Sequence, residues 1–446
     1  MPLTRRSHPG TRTIGVAPRG AATLVVVMVL FFIVALVAAY TSRNLIFEQR
    51  TSANQYRSTQ AFEAAEAGLE WALTLLNSGR IDSSCVSQNA ANTTNDSFRM
   101  RYLAIAPDTG RITARLRASD GAPRQAACVF GGSGWQCDCP ENAPPSLAAP
   151  AGTGPFPAFV LRFHELAPDA TPYPAGVLRI ESIGCTRLDA TGSICAATTA
   201  SGDGRAAVNA ITALKSALTA PPGAAVTVRG DLIGASGLHV TNADAASGGL
   251  TLRVGGTISG TPQALNGPAG TPSDPSNLSR NVTVVSPDAS LAALTPDRMF
   301  ASVFAAGRDT YRLQPAAVHV DCTAGCSAAT VRDQASLNPG RVLWVGGNLD
   351  INIPGPIGSA AFPVMLVVTG DLSVSDAAAQ LNGLAYVVGQ TLTTSGGLIN
   401  GGLIAENDLG LTGGGTSSVV YDADVLNLLH RGSGSFVRVP GGWRDF

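Results

Sequence analysis

Asp371, Asp376 and Asp408 are the residues of this chain best placed to do chemistry, recurring in the Gly-rich stretches "TGDLSVSDAAA" and "AENDLG". Carboxylates on successive turns of a stacked β fold can carry out general acid–base cleavage of a polysaccharide. Asp371 and Asp408, however, close a Gly-Asp and an Asn-Asp pair, which is ordinary turn chemistry. A turn role is expected for all three. The histidines, at positions 8, 164, 239, 319 and 430, form no cluster. No Gly-rich stretch has the phosphate-loop or dinucleotide spacing. No Ser/His/Asp or Cys/His grouping is legible. Neither an enzyme nor a cofactor is expected.

Cysteine is the other candidate. Cys137-Asp138-Cys139, with Cys128 nearby, has thiols close enough in sequence to suggest a metal site. Zinc sites favour matched pairs at two-to-four-residue spacing, often with histidine, and no histidine is near. All eight cysteines follow the apolar run described below. An even number on one side of a membrane segment reads as disulfides in an oxidising compartment, and no metal is expected. Cys185 and Cys195 are expected to pair across "TRLDATGSI", and Cys322 with Cys326 across "TAG". Cys85, Cys128, Cys137 and Cys139 allow three pairings, among which spacing does not choose.

These residues need a scaffold. With 446 residues, of which 45% are hydrophobic and 14% charged, the chain has material for two or three domains. Its 50 Gly, with abundant Ala, Thr, Ser and Val, favour repetitive β structure, and a net charge of -1 gives no case for nucleic acid. From about Val226, short β-rich runs recur, each closed by Gly, Asn or Asp. Aligning "VMLVVTGDLSVS" (364–375), "LAYVVGQTLTTS" (384–395) and "LIAENDLGLTGG" (403–414) gives steps of 20 and 19 residues. A repeat near that length, with two short strands each, predicts a β-solenoid with Val, Leu and Ile pointing inward. The insertion 261–281 is expected to leave the stack as a loop. Residues 78–205 are less regular. "SFRMRYLAIAPDTGRITARLRAS" alternates as a hairpin turning at Pro107-Asp108-Thr109-Gly110, and 158–166 and 176–186 read as strands. Residues 140–157 form a Pro-rich exposed loop.

Ala21–Tyr40 carries no charge. As a helix it spans roughly 30 Å, the thickness of a bilayer core. Arg5, Arg6, Arg12 and Arg19 precede it without an acid. That bias keeps residues 1–20 in the cytoplasm and sends the rest outward. The segment is long, is followed by charged helical sequence, and lacks a signal-peptidase site, so it is expected to be retained. No Pro occurs between Pro18 and Pro107. Phe62, Ala65, Leu69, Ala72 and Leu76 form an apolar stripe beside the polar stripe Glu63, Glu66, Glu70 and Thr74. Asn77-Ser78-Gly79 supplies a C-cap. Residues 21–77 therefore read as one helix, roughly 85 Å long. Its outer half must pack on its own head or on neighbouring subunits.

A basic leader ending in Gly20, then an apolar segment continuing into an amphipathic helix, resembles the N-terminus of type IV pilins. More narrowly, "RGAATLVVVMVLFFIVALVAAYTSRNLIFEQRTSANQYRSTQAFEAAEAGLEWAL" is similar to the N-terminal module of PilX-type minor pilins. Its most specific part is "QAFEAAEAGLEWAL", residues 60–73. The resemblance implies cleavage by prepilin peptidase between Gly20 and Ala21, and a helix packed in a filament core. It implies other minor and major pilins and the inner-membrane pilus assembly machinery as partners. Arg19 stands where the resemblance leads one to expect a Lys before Gly20. Major pilins carry Glu at the fifth mature position, which here is Val25. A carboxylate in that core pairs strongly with a neighbour's terminal amine, and an unpaired charge is costly. A subunit without it cannot pair with a subunit above it, so a place at or near the filament tip is expected.

The expectation is an α+β protein of four parts: a leader 1–20; a helix 21–77 with 21–40 in the membrane; a Cys-containing β-rich region 78–205; and a Gly-rich region 206–446 forming the solenoid. It is an inner-membrane single-pass structural protein with a periplasmic head, carried outside the cell when part of a pilus, and it helps to initiate assembly. The head could instead be an adhesin-like binding module that meets a tip adhesin or a surface ligand. A membrane-tethered polysaccharide-active enzyme, using Asp371 and Asp376, is the third reading.

Overall fold

The computed structural model describes residues 19–88, 95–151, 156–166, 175–188, 194–196, 203–394, 396–412 and 414–445. Positions 1–18 of the expected leader, with Arg5, Arg6 and Arg12, lie outside the described residues. The chain divides into two compact units, Met1–Arg57 and Ser58–Phe446. The class is α+β: a long N-terminal apolar helix, then a β-rich domain built on a curled sheet.

The helix is a single element, Arg19–Leu76. Ala, Leu, Glu and Gln are frequent in it, and no Pro breaks it. In the first unit its side chains from 22 to 57 are exposed. In the second unit, burial alternates around it from residue 61 onward, and the stripe from Ala65 to Leu76 lies on the buried face.

That face lies against a six-stranded antiparallel sheet, in the order Gly434–Arg444, Arg205–Ser216, Val177–Cys185, Ala158–Glu165, Ala127–Phe130, Trp135–Asp138. The strands expected at 158–166 and 176–186 are here. The boundary expected at 205/206 runs through this sheet, because Arg205–Ser216 is hydrogen-bonded along its length to Val177–Cys185. The C-terminal tail adds the outer strand. A backbone edge is satisfied by whatever strand reaches it, and the tail comes back from the far end of the sequence to do so.

One expected strand is a helix. Phe98–Tyr102 is helical, capped by Ser97, whose hydroxyl accepts from the Met100 N–H at 3.4 Å. Phe98 and Tyr102 are four apart and both 0% exposed, a helical spacing that the local alternation concealed. The hairpin that follows is short, Leu103–Ile105 with Ile112–Ala114.

The larger sheet is dominated by parallel ladders. Val368 pairs with Val387 and Val387 with Ala405, while Leu372 pairs with Leu392 and Leu392 with Leu411. The sequence alignment is right for the second strand of each repeat. It is one residue out for the first, where Met365 faces Leu384 and Leu384 faces Gly402. The connecting turn gains one residue at each step, which a constant period cannot represent. The stacking order also departs from sequence order. Leu403 pairs with Val226, Val226 with Leu252, and Leu252 with Val284. The chain therefore enters mid-stack at Ala224–Val228 and builds to one end. It crosses by the helices Pro296–Phe304 and Arg308–Arg312, starts again at Ala317–Ser327, and returns to where it entered. The crossing helices are pinned by aromatics: Phe300 and Phe304 lie 5.3 and 5.0 Å from the Tyr386 ring. The insertion 261–281 leaves the stack only in part, since Ala264–Asn266 pairs with Leu238–Thr241.

Candidate functional site: the N-terminal helix and its seat in the head

In the first unit, no charged side chain stands between Ala22 and Arg43. Leu24, Val25, Phe31, Phe32 and Val37 are each more than half exposed. Val25, the position lacking Glu, presents only an isopropyl group. Thr41 donates to the Val37 carbonyl and Thr51 to the Phe47 carbonyl, both at 2.9 Å. Their hydroxyls are satisfied inside the helix, which suits an apolar surrounding. By length and composition this helix can cross a bilayer. Gly20 and Ala21 are helical in backbone.

In the second unit the helix meets the sheet backbone to backbone. Ala61, Ala64, Ala65 and Gly68 supply a small-residue face, and all but Gly68 are at or below 3% exposure as core apolar residues. A Cβ built on Gly184 would stand 2.5 Å from the Ala65 nitrogen, and closer still to the Ala61 carbonyl oxygen. A Cβ on Gly68 would stand 2.7 Å from the Phe159 ring. The "AFEAAEAGL" stretch is thus small where the strand Val177–Cys185 comes nearest. Below it, Leu69, Ala72 and Leu76 are fully buried. Of the five packing residues expected, Phe62 is the exception. It is half-buried at the rim, edge-on to Trp443 at 6.4 Å.

The helix end is held by groups the sequence reading did not find. Asn77 does more than cap: its Nδ2 donates to the carbonyls of Leu73 and Phe436, and its Oδ1 accepts from the Phe436 N–H. Arg99, 3% exposed, donates to the carbonyls of Leu76, Gly340 and Gly434 at 2.9, 2.9 and 3.0 Å. Burial, with Arg341 nearby, lowers its pKa to about 9, so it stays charged at neutral pH. Arg101 likewise serves the carbonyls of Ile81, Asp82 and Cys139. Arginines in a predicted strand give little signal of this; the five-donor fork matters only once carbonyls converge on it.

The cysteines are all disulfide-bonded: Cys85–Cys139, Cys128–Cys137, Cys185–Cys195 and Cys322–Cys326. Cys137 and Cys139 thus enter different bonds. They flank Asp138 at the end of an antiparallel ladder, so one reaches across to Cys128 and the next turns away to the loop after the helix. Among the described residues no group of three or more His, Cys, Asp or Glu could hold a metal.

The aspartates serve the turns. Asn348 Oδ1 accepts from the Asp371 N–H, and Asp371 Oδ1 from the N–H groups of Gln390 and Thr391, at 2.9, 2.9 and 3.0 Å. Asp408 Oδ1 accepts from the Asp231 N–H, and Asp231 Oδ1 from the Thr257 N–H, at 2.9 and 2.6 Å. Each side chain ties its turn to the next layer. Asp376 closes a local turn onto the Ala378 N–H at 2.7 Å. The described histidines stay apart: His164 meets Glu181, His239 meets Asn266, and His430 meets the Leu218 carbonyl. A cavity of about 150 Å³, lined by Arg99, Met100, Leu103, Arg115, Phe362 and Leu428 among others, has no carboxylate or imidazole in its wall.

One buried charge pair had a legible signal, an acid just after the apolar run "GGLIA". Glu406 is 1% exposed. Arg308 Nη2 donates to both its carboxylate oxygens at 2.7 and 2.8 Å, and the Tyr386 hydroxyl donates at 2.7 Å. Burial and the Glu406 carboxylate push the Tyr386 phenol far up. Arg308 also lies over the Phe300 ring at 4.8 Å. The cluster ties the crossing helices to the stack.

The family model described as PilX N-terminal matches residues 19–70. That span lies within the helix Arg19–Leu76, and the strands of its seat fall outside it. No curated protein matches the chain. A superposition on the crystal structure of the competence-associated pilin ComZ from Thermus thermophilus covers 87% of this chain and 98% of that one. It has 13% identity and a TM-score of 0.21, too low to establish a common architecture.

Proposed function

We propose that this chain is a minor pilin-like structural protein of a type IV pilus, and that its work is assembly rather than catalysis. The observation that carries the reading is the match to the PilX N-terminal model over residues 19–70, on a helix that carries no charge and exposes apolar side chains from Ala22 to Tyr40. Such a surface is stable only in a membrane or among other apolar helices. Prepilin peptidase cuts between Gly20 and Ala21, and the pilus assembly machinery of the inner membrane extracts the mature chain into a filament of other pilins. The head faces the periplasm first and the exterior later. Its parallel layers form a β-solenoid standing on a pilin-like antiparallel sheet.

A position at or near the tip is part of this reading, supported by Val25, which offers no carboxylate to an amine above it. The test is N-terminal sequencing of the protein from sheared filaments, with immunogold labelling of the head. A start at Ala21 and label confined to filament ends support the reading. A soluble product starting beyond Tyr40 refutes it, and label spaced along the shaft refutes the tip position.

A further inference from the structure

The parallel stack has two ends, and they are finished differently. One end is the two-residue strand Val284–Val285. The other is Ala317–Ser327, eleven residues, paired among the described residues on one side only, with Val342–Ile351. Long unpaired edges invite another strand, and proteins usually cover them.

The direction of each main-chain group on this edge follows from the ladder. The Val342 N–H donates to the Ala316 carbonyl at 3.1 Å, and Ala317 is the register partner of Val342. In a parallel ladder this turns residues 316, 318, 320 and 322 toward Val342–Ile351, and residues 317, 319 and 321 outward. Ala317 is already satisfied: its N–H donates to Gln314, and its carbonyl accepts from Arg341. Past Cys322 the register shifts, and the Cys322–Cys326 disulfide closes the bulge. Among the described residues, four main-chain groups remain without a partner, the N–H and C=O of His319 and of Asp321. Both side chains are exposed. Asp321 Oδ1 is held by the Thr323 N–H and hydroxyl at 3.0 and 2.7 Å, which leaves Oδ2 free to meet a donor.

We infer that this edge pairs with the same edge of a second copy, antiparallel, about a two-fold axis at Val320. That register sets His319 opposite Asp321 of the partner subunit and the reverse. Residues facing each other in this way exchange both main-chain hydrogen bonds, so all four idle groups are used. Directly opposed side chains share a face, so each imidazole also meets a carboxylate. A register shifted by one residue either way leaves main-chain groups unpaired and breaks both side-chain pairs. The match of imidazole to carboxylate, at the register that satisfies the backbone, favours a second copy as the occupant. The inference is independent of the pilin reading.

The contact is a short strand pair, so association should depend on concentration. The experiment measures mass against concentration by light scattering for the full chain in detergent. It compares wild type with His319→Asp, Asp321→His and the double swap. Each single change sets like groups opposite one another twice and should weaken the dimer about tenfold. The double swap restores opposite pairs and should restore the dimer. Association through the apolar helix would be equal in all four chains. His319→Pro, which removes an outward N–H and leaves the ladder intact, should also weaken it. Thermal unfolding of each variant checks that it folds, and concentration-dependent amide exchange at His319 and Asp321 locates the contact. A wild type that stays monomeric, or four chains that associate alike, overturns the inference. So does protection of the two amides in sheared filaments without self-association, which would give the edge to another subunit.

Discussion

Gly184→Ala tests the seat of the helix directly. The added methyl carbon would stand 2.5 Å from the Ala65 nitrogen and 3.1 Å from the Ala64 carbonyl carbon. Ordinary contact needs about 3.5 Å, so the helix has to rise by roughly 1 Å. A gap of that size forfeits about a quarter to a half of each dispersion contact it opens. Ala61, Ala65, Leu69 and Ala72, each 0% exposed, lie on the face that lifts. Overpacking costs ~1–3 kcal/mol in ordinary cores. Here the obstacle is main chain, which cannot rotate aside, so a loss of about 3 kcal/mol is expected, at the top of that range. The assay is urea unfolding of the oxidised full chain in detergent, followed by tryptophan emission. Trp71 reports the seat, since its ring lies 5.5 Å from Phe159. Gly223→Ala is the control: its Cβ meets nothing within 4 Å. It should lie within ~0.5 kcal/mol of wild type or gain slightly. If Gly184→Ala unfolds less than about 1 kcal/mol below wild type with unchanged emission, the close approach of helix to strand is wrong.

The other expectations use the same unfolding measurement. Arg308→Met strands a Glu406 carboxylate that is 1% exposed, and should cost ~3–5 kcal/mol, much of it recovered in Arg308→Met/Glu406→Gln. Replacing Cys85 and Cys139 by Ser opens a loop of 54 residues, against 4 for Cys322 and Cys326; the losses should be about 4 and about 2 kcal/mol. Asp288 is held at about 2 by the Ser290 hydroxyl foremost, and by Arg253. A lowered folded pKa means its contribution is present above the ordinary carboxylate value of about 3.9 and is lost as pH falls toward about 2. Asp288→Asn should therefore flatten the decline of Tm across that window, and an unchanged acid limb would count against the Asp288 contacts.

Where the physics is local, the residues spell it out. The helix is legible because its apolar stripe recurs every three or four residues and no Pro interrupts it. The turn aspartates are legible because Gly-Asp and Asn-Asp pairs bond nearby backbone wherever they occur, and the repeat near twenty residues is legible from its Gly-closed strands. The two close cysteine pairs follow from short loops. The helix Phe98–Tyr102 is not legible, because five residues satisfy both alternation and a helical turn, and only burial of Phe98 and Tyr102 decides.

Tertiary structure alone settled what depends on distant partners. Nothing local says that Leu403 lies on Val226, that Gly434–Arg444 completes the sheet begun at Ala127, or that Cys85 reaches Cys139. Parallel pairing and loop closure are chosen by whichever backbone edges and thiols the whole fold brings within hydrogen-bonding or bonding distance. The same holds for the one-residue growth of successive turns, for Arg99 among three carbonyls, and for the idle groups at His319 and Asp321. A side chain's role in each case is set by what surrounds it in space, and that surrounding is assembled from segments hundreds of residues apart.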